Sequence, residues 1–166
     1  AKAIKKIQND SSMNITEKVN SISNVANSTL SAEQHSLLVK HYKSSSSTNH
    51  GVKTEQTALD MYATQTGQHV QKYAKLCTKE NNGYEIRGKV DGIVKNADDT
   101  FKIVEVKNRT RRLFNQVVSY EYCQTQCYLW MLHQQECDLV EKYKGDINIF
   151  PIERNDTYIE FMLNTL

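Results

Sequence analysis

The segment 90-VDGIVKNADDTFKIVEVKN-108 delivers three charges to the ends of two apolar runs. Asp91 precedes one run, and Glu105 and Lys107 bracket Val106 at the end of the next. The turn signal 96-NADDT-100 between them predicts a hairpin, which brings those ends face to face. Glu105 and Lys107 are two apart on one strand, so their side chains share a face. That face gathers Asp91, Glu105 and Lys107. Two close carboxylates repel unless a cation sits between them, and an all-oxygen donor set suits Mg²⁺ or Mn²⁺. A neighbouring ammonium can orient a water or stabilise charge on a phosphate. Together these are the parts of a phosphodiester-hydrolysing site. The plainer alternative is an Asp-Gly corner with a solvated cross-strand ion pair, worth little. The apolar strand around the pair (Phe101, Ile103, Val104, Val106) favours the site, because charges among buried apolar residues need a reason.

Immediately downstream, 107-KNRTRR-112 concentrates Lys107, Arg109, Arg111 and Arg112. The net charge is only +2, too weak to imply nucleic acid by itself, but this local cluster is suited to backbone phosphates. The four cysteines, Cys77, Cys123, Cys127 and Cys137, show no C-x-x-C spacing. They read as free thiols of a reducing compartment rather than a zinc site. Cys123 and Cys127, four apart, leave an iron–sulfur cluster as the disfavoured alternative. No apolar run approaches the roughly 18–20 residues of a membrane helix, and the N-terminus lacks the apolar core of a secretory signal. The expectation is an intracellular protein with no membrane partner. The chain does not begin with Met, so it reads as a processed product or a piece of a longer protein. Its Asn and Lys content hints at an AT-rich, viral genome.

The elements that must position the charged residues can be read from periodicity. Ile15, Val19, Ile22 and Val25 or Ala26 have helical spacing in a polar extension, residues 1–30. Ser31 opens S-A-E-Q, a capping box with Gln34, and predicts a helix through Tyr42. The run 44-SSSSTN-49 reads as a loop. A second helix is expected from Gly51 or Val52 to Gly67, with Val52, Leu59 and Tyr62 inward. Residues 70–77, 84–94 and 101–108 are expected as an antiparallel meander, with a hairpin at 81-NNG-83. Helical spacing returns over 113–135. Strands follow near 139–143 and 147–153, and Pro151 favours an edge position for the latter. The tail from Thr157 is expected as a helix. The fold class is therefore α/β, with helices flanking one central mixed five-stranded sheet, and residues 31–166 form the main domain.

The pair Asp91-Gly92 with 105-EVK-107 resembles the core of the PD-(D/E)xK nuclease superfamily. The stretch 51-GVKTEQTALDMY-62 resembles the upstream helix of its lambda-exonuclease-like branch, and 124-QTQCYLW-130 resembles that branch's Q-x-x-x-Y motif. The ending 149-IFPIERNDTYI-159 is similar to its last strand and terminal helix. Gln124 and Gln126 compete for the motif position, and only Gln124 has a tyrosine four residues on. Val90 stands where the superfamily's name has proline, which the metal site does not require. The resemblance implies a restriction-endonuclease-like core and a Mg²⁺-dependent DNA nuclease, an exonuclease of viral or phage recombination, repair or replication, with Mn²⁺ as a substitute ion. It implies Asp91, Glu105, Glu55 and the Val106 carbonyl as metal ligands. Lys107 is then the catalytic cation and Gln124 fixes the lysine, the water or the substrate phosphate, while Arg109, Arg111, Arg112 and Tyr128 lie against DNA. A structure-specific endonuclease and a non-catalytic nucleic-acid-binding module are the alternatives. A homo-oligomer or a recombination partner protein stays open.

Overall fold

The computed structural model describes residues 2–165 except 11, 12, 14, 28, 29, 74 and 99, and omits the side chains of 9, 15, 16, 27, 43 and 45–53. Ile15 and Val52, expected on inner helix faces, have side chains outside the described residues. The chain divides into two compact units, Ala1–Lys53 and Thr54–Leu166. This division lies well downstream of the compositional boundary at residue 30.

The first unit is helical. Helix α1 spans Lys2–Asn9, α2 spans Ile15–Asn27, and α3 begins at Ala32. Val19, Ile22 and Tyr42 form its core, with Ile4, Ile7, Leu38 and Val39 packed against them. The capping box forms reciprocally: Gln34 N donates to Ser31 Oγ at 3.3 Å, and Ser31 N donates to Gln34 Oε1 at 3.1 Å. These two bonds satisfy amide groups that a helix start otherwise leaves orphaned. The expected loop at 44–49 is not a loop, because α3 runs without a break from Ala32 to Thr66. Serine is only a moderately poor helix former, and good helical stretches on both sides carry the run through.

The second unit is built on a five-stranded sheet. Its strands are β1 (Val70–Lys72), β4 (Gly92–Lys95), β5 (Phe101–Asn108), β6 (Glu136–Tyr143) and β7 (Asp146–Glu153), in the order β1-β4-β5-β6-β7. All neighbours pair antiparallel except β5 and β6, which are parallel. Helix α4, Ser119–Leu132, makes the crossover between those two, as a parallel pair demands. Pro151 sits on β7, the edge strand, where its missing N–H costs no ladder bond. The tail is helix α5, Asp156–Thr165.

The expected meander is corrected. β2 (Cys77–Asn81) and β3 (Tyr84–Gly88) form a separate two-stranded sheet. Their turn is the expected one, with positive φ at Asn82 and Gly83. The chain leaves the ladder over Lys89–Asp91 before β4 begins. Gly92 allows this re-entry, because a Cβ there would meet Val70 at 2.9 Å and Leu59 at 3.1 Å.

β5 divides its side chains by parity. Ile103 joins Val90, Tyr128, Leu129, Cys137 and Leu139 on the α4 side. Val104 and Val106 join Leu59, Tyr62 and Val140 on the side of α3. Burying each such aliphatic side chain stabilises the fold by about 1.5–3 kcal/mol. Glu105 and Lys107 share the parity of Ile103, so they are carried towards α4. Tyr62 is fully buried and donates to Asp138 Oδ2 at 2.5 Å, which Lys102 also meets at 2.6 Å. Asp138 is thereby a structural residue.

Candidate active site

Gly92 pairs with Val104, so the residue before it stands opposite the residue after Val104. The hairpin thus sets Asp91 beside Glu105. Asp91 Oδ2 accepts a hydrogen bond from Val106 N at 2.8 Å, which fixes the carboxylate across the strand end. Glu105 is only 4% exposed. Its Oε1 accepts from the Lys107 ammonium at 2.9 Å, and its buried Oε2 has no hydrogen-bond partner. An unpartnered buried carboxylate oxygen costs free energy unless another group satisfies it.

The electrostatics follow. Burial, and then the charge of Asp91, push Glu105 up to about 8. Burial raises Asp91 to about 6; the Val106 N–H and the charges of Lys107 and Lys72 oppose the rise, and Glu55 adds to it. Carboxyls shifted this far mark sites that hold charge for a purpose or await a cation.

Helix α4 supplies the other wall. Lys107 Nζ donates to Gln124 Oε1 at 2.5 Å, and Gln124 Nε2 donates to the Tyr128 hydroxyl at 2.8 Å. That hydroxyl donates to the Lys89 carbonyl at 3.1 Å. Burial, with the charge of Glu105 next, holds the Tyr128 phenol up at about 12, so it acts as a donor. A continuous chain of bonds therefore runs Glu105–Lys107–Gln124–Tyr128–Lys89. The spacing of four puts Gln124 and Tyr128 on one helix face. Gln126 points elsewhere: it is buried, donates to the Glu153 carbonyl at 2.8 Å and accepts from Asn155 N at 2.9 Å. Of the two glutamines in the QTQ run, Gln124 is thus the one that meets Lys107.

Glu55 lies on the α3 segment of this unit and is bound to Lys72 at 2.7 Å. Its charge reaches both Asp91 and Glu105. Among the described residues, no three His, Cys, Asp or Glu side chains converge tightly enough to hold a metal ion.

Two residues expected against DNA, Arg109 and Tyr128, have partners within the protein. Arg109 is 8% exposed in its side chain. It bridges Glu121, at 2.6 and 3.0 Å, and Glu141, at 2.9 Å, and its guanidinium lies 3.9 Å from the Phe114 ring centre. Tyr128 is buried by packing and its hydroxyl is spent on Gln124 and Lys89. Arg111 and Arg112 are exposed. The cysteines are free; Cys123 and Cys127 contact Met162, which joins α4 to α5. Sequence reasoning missed Lys72, Glu121 and Glu141. A charged Glu141 directly after the apolar Leu139-Val140 pair was a readable signal.

A family model described as the YqaJ-like viral recombinase domain matches residues 4–135. No curated protein is matched. Solved structures share the fold. LHK-Exo, an alkaline exonuclease from Laribacter hongkongensis, solved in complex with dAMP, is 20% identical with a TM-score of 0.58, over 86% of this chain and 81% of that one. SSO0001 is 19% identical with a TM-score of 0.53, over 80% of this chain and 65% of that one. A phage-related exonuclease from Haemophilus somnus 129PT is 16% identical with a TM-score of 0.52, over 70% and 65%. The chain thus spans just under two thirds of the length of the last two. At these identities the likeness establishes the fold, a mixed five-stranded sheet flanked by helices. Among the described residues no helix is long and apolar enough to cross a membrane.

Proposed function

We propose that this chain, which belongs to the YqaJ-like viral recombinase domain family, is a divalent-metal-dependent DNA exonuclease acting in recombination. The observation that carries the reading is the orphaned Glu105 Oε2, buried beside Asp91 with no hydrogen-bond partner. The donor set fits a hard cation: two carboxylates whose pKa values burial raises, a backbone carbonyl at Val106, and oxygen throughout. Asp91, Glu105 and the Val106 carbonyl would hold it, with Glu55 as a further carboxylate. When bound, Mg²⁺ or Mn²⁺ supplies charge neutralisation at a phosphodiester and a more acidic water.

The chain's own groups do the rest. Lys107 has two of its N–H groups committed, to Glu105 and Gln124. The third can donate to the attacking water or to the scissile phosphate oxygen. Gln124 fixes the ammonium, and Tyr128 fixes Gln124 through the Lys89 carbonyl. This is a positioning relay, in which no member but Lys107 need touch DNA. Exposed Arg111 and Arg112 supply contacts to backbone phosphates. The alkaline and phage-related exonucleases of the same fold support action at a strand end.

The test is a gel of end-labelled linear, circular and single-stranded DNA with and without Mg²⁺ or Mn²⁺. Metal-dependent loss of label from linear DNA, with circles intact, is expected. Nicked or linearised circles would replace the exonuclease with an endonuclease, and no cleavage with either ion would remove the enzyme reading.

A further inference from the structure

Glu55 has a specific partner. Its Oε1 lies 2.7 Å from the Lys72 ammonium, and the two side chains are 15% and 45% exposed. Lys72 is placed there by the sheet. It ends β1 and pairs with Gly92, the residue after Asp91. The next residue, Tyr73, donates its N–H to the Asp91 carbonyl at 3.3 Å. The ammonium is thus delivered beside the candidate site by backbone pairing.

Three carboxylates and two ammonium groups then share one neighbourhood. The charges of Glu55 and Lys72 act on Asp91 in opposite directions, and Glu55 also acts on Glu105. Lys107 takes Glu105 and Lys72 takes Glu55. Among the described residues no tight group of three acidic side chains exists, in keeping with Glu55 being turned to Lys72. A lysine is suited to this role, because it is a point charge on a flexible stem and can move away without disturbing the strand.

Resting on the reading of this site as a metal-dependent nuclease centre, we propose that Lys72 is a built-in counter-ion that a divalent cation displaces from Glu55, completing the set of three carboxylates. Lys72 then stabilises the metal-free chain and lowers the apparent affinity for the ion, since the ion pair must open first. A partly exposed ion pair is weak, so the exchange is readily reversed.

Lys72→Met keeps the length of the stem and removes the charge. Calorimetric titration of the full chain with Mn²⁺ should show roughly fivefold tighter binding than wild type, the equivalent of one such ion pair. Lys72→Arg should bind as wild type does, and in a Glu55→Gln background the Lys72→Met gain should vanish. Metal-free Lys72→Met should melt below wild type, and saturating Mn²⁺ should close the gap. Unchanged or weaker Mn²⁺ binding by Lys72→Met with a wild-type circular dichroism spectrum would overturn the proposal. So would a gain that persists with Glu55→Gln. If wild type binds Mn²⁺ and cleaves DNA while Lys72→Met gains nothing, the counter-ion role alone falls. If wild type neither binds Mn²⁺ nor cleaves, the nuclease reading falls and takes this one with it.

Discussion

Lys107 and Arg109 stand two residues apart at the end of β5, and each meets buried carboxylates. The outcomes are opposite. Around Arg109 every acceptor is used. Glu141 takes hydrogen bonds from Arg109, from the Phe114 and Asn115 N–H groups, and from Asn148. Burial pushes Glu141 up, but the Phe114 N–H, Arg109 and the Asn115 N–H more than reverse it, so its carboxyl sits below the usual range. Burial likewise opposes the charge on Arg109, and its bonds to Glu121 and Glu141 overcome that and raise it. Around Lys107 one oxygen of Glu105 is left without a partner and both acids are raised. The first cluster is complete as it stands and ties the loop after β5 to β6 and α4. The second is complete only with something added. Satisfaction, more than charge count or burial, separates the structural ion cluster from the candidate site.

Replacing Arg109 is the largest expected perturbation. Arg109→Ala strands two buried carboxylates and should cost about 3–5 kcal/mol of stability, read by urea denaturation. A variant as stable as wild type but weakened in DNA binding would return Arg109 to the phosphates and erase the contrast. Lys107→Ala should do the reverse. It should lower the cleavage rate by about 10²–10³-fold, as loss of a transition-state charge donor does, and leave Mn²⁺ binding measurable. Wild-type cleavage by that variant would remove the assigned role.

The pH dependence of stability sharpens the same contrast. Asp91 at about 6 and Glu105 at about 8 lie above ordinary carboxyls, so the folded chain keeps protons that the unfolded chain has lost. In EDTA, stability should fall as pH rises from about 5 to about 8. Each kcal/mol lost lowers the melting temperature by roughly 2–4 °C in a chain of this size. Glu105→Gln should flatten the upper part of this slope, from about pH 6 upward. Glu141, shifted the other way, contributes stability that is present above the normal carboxyl range and is lost only as pH falls through its lowered pKa.

Smaller effects test the relay and the surface. Tyr128→Phe removes the bonds to Lys89 and Gln124 and should cost about 1 kcal/mol. The loss should appear in kcat rather than KM if Tyr128 positions Lys107 through Gln124. Arg112→Ala should lower the dependence of DNA affinity on log salt by roughly 0.9, the contribution of one phosphate contact. An unchanged slope would make Arg112 a solvated turn residue.

Local signals were enough for much of the frame. The Ser31–Gln34 box, the Asn82-Gly83 turn, the edge proline and the parity of Glu105 and Lys107 depend on a few adjacent residues, and each stands as read. The joining of Ser44–Asn49 into one helix does not follow from local propensity, because it is decided by the helical stretches on either side. The splitting of residues 84–94 into β3 and β4 is decided by pairing partners, β2 for the first and β1 and β5 for the second.

The candidate site divides along the same line. Residue types and spacing determined that two carboxylates and a lysine would meet at one strand end, because alternation and a hairpin turn leave them nowhere else to go. Tertiary structure decided which cation would be consumed by the fold and which would stay poised. Arg109 reads from the sequence as a member of a basic cluster with Arg111 and Arg112, yet β6 and α4 bring Glu141 and Glu121 against it. Those partners lie 32 and 12 residues further along the chain, respectively. A charge's role depends on what neutralises it, and those groups were brought in by strands and helices that no local window spans.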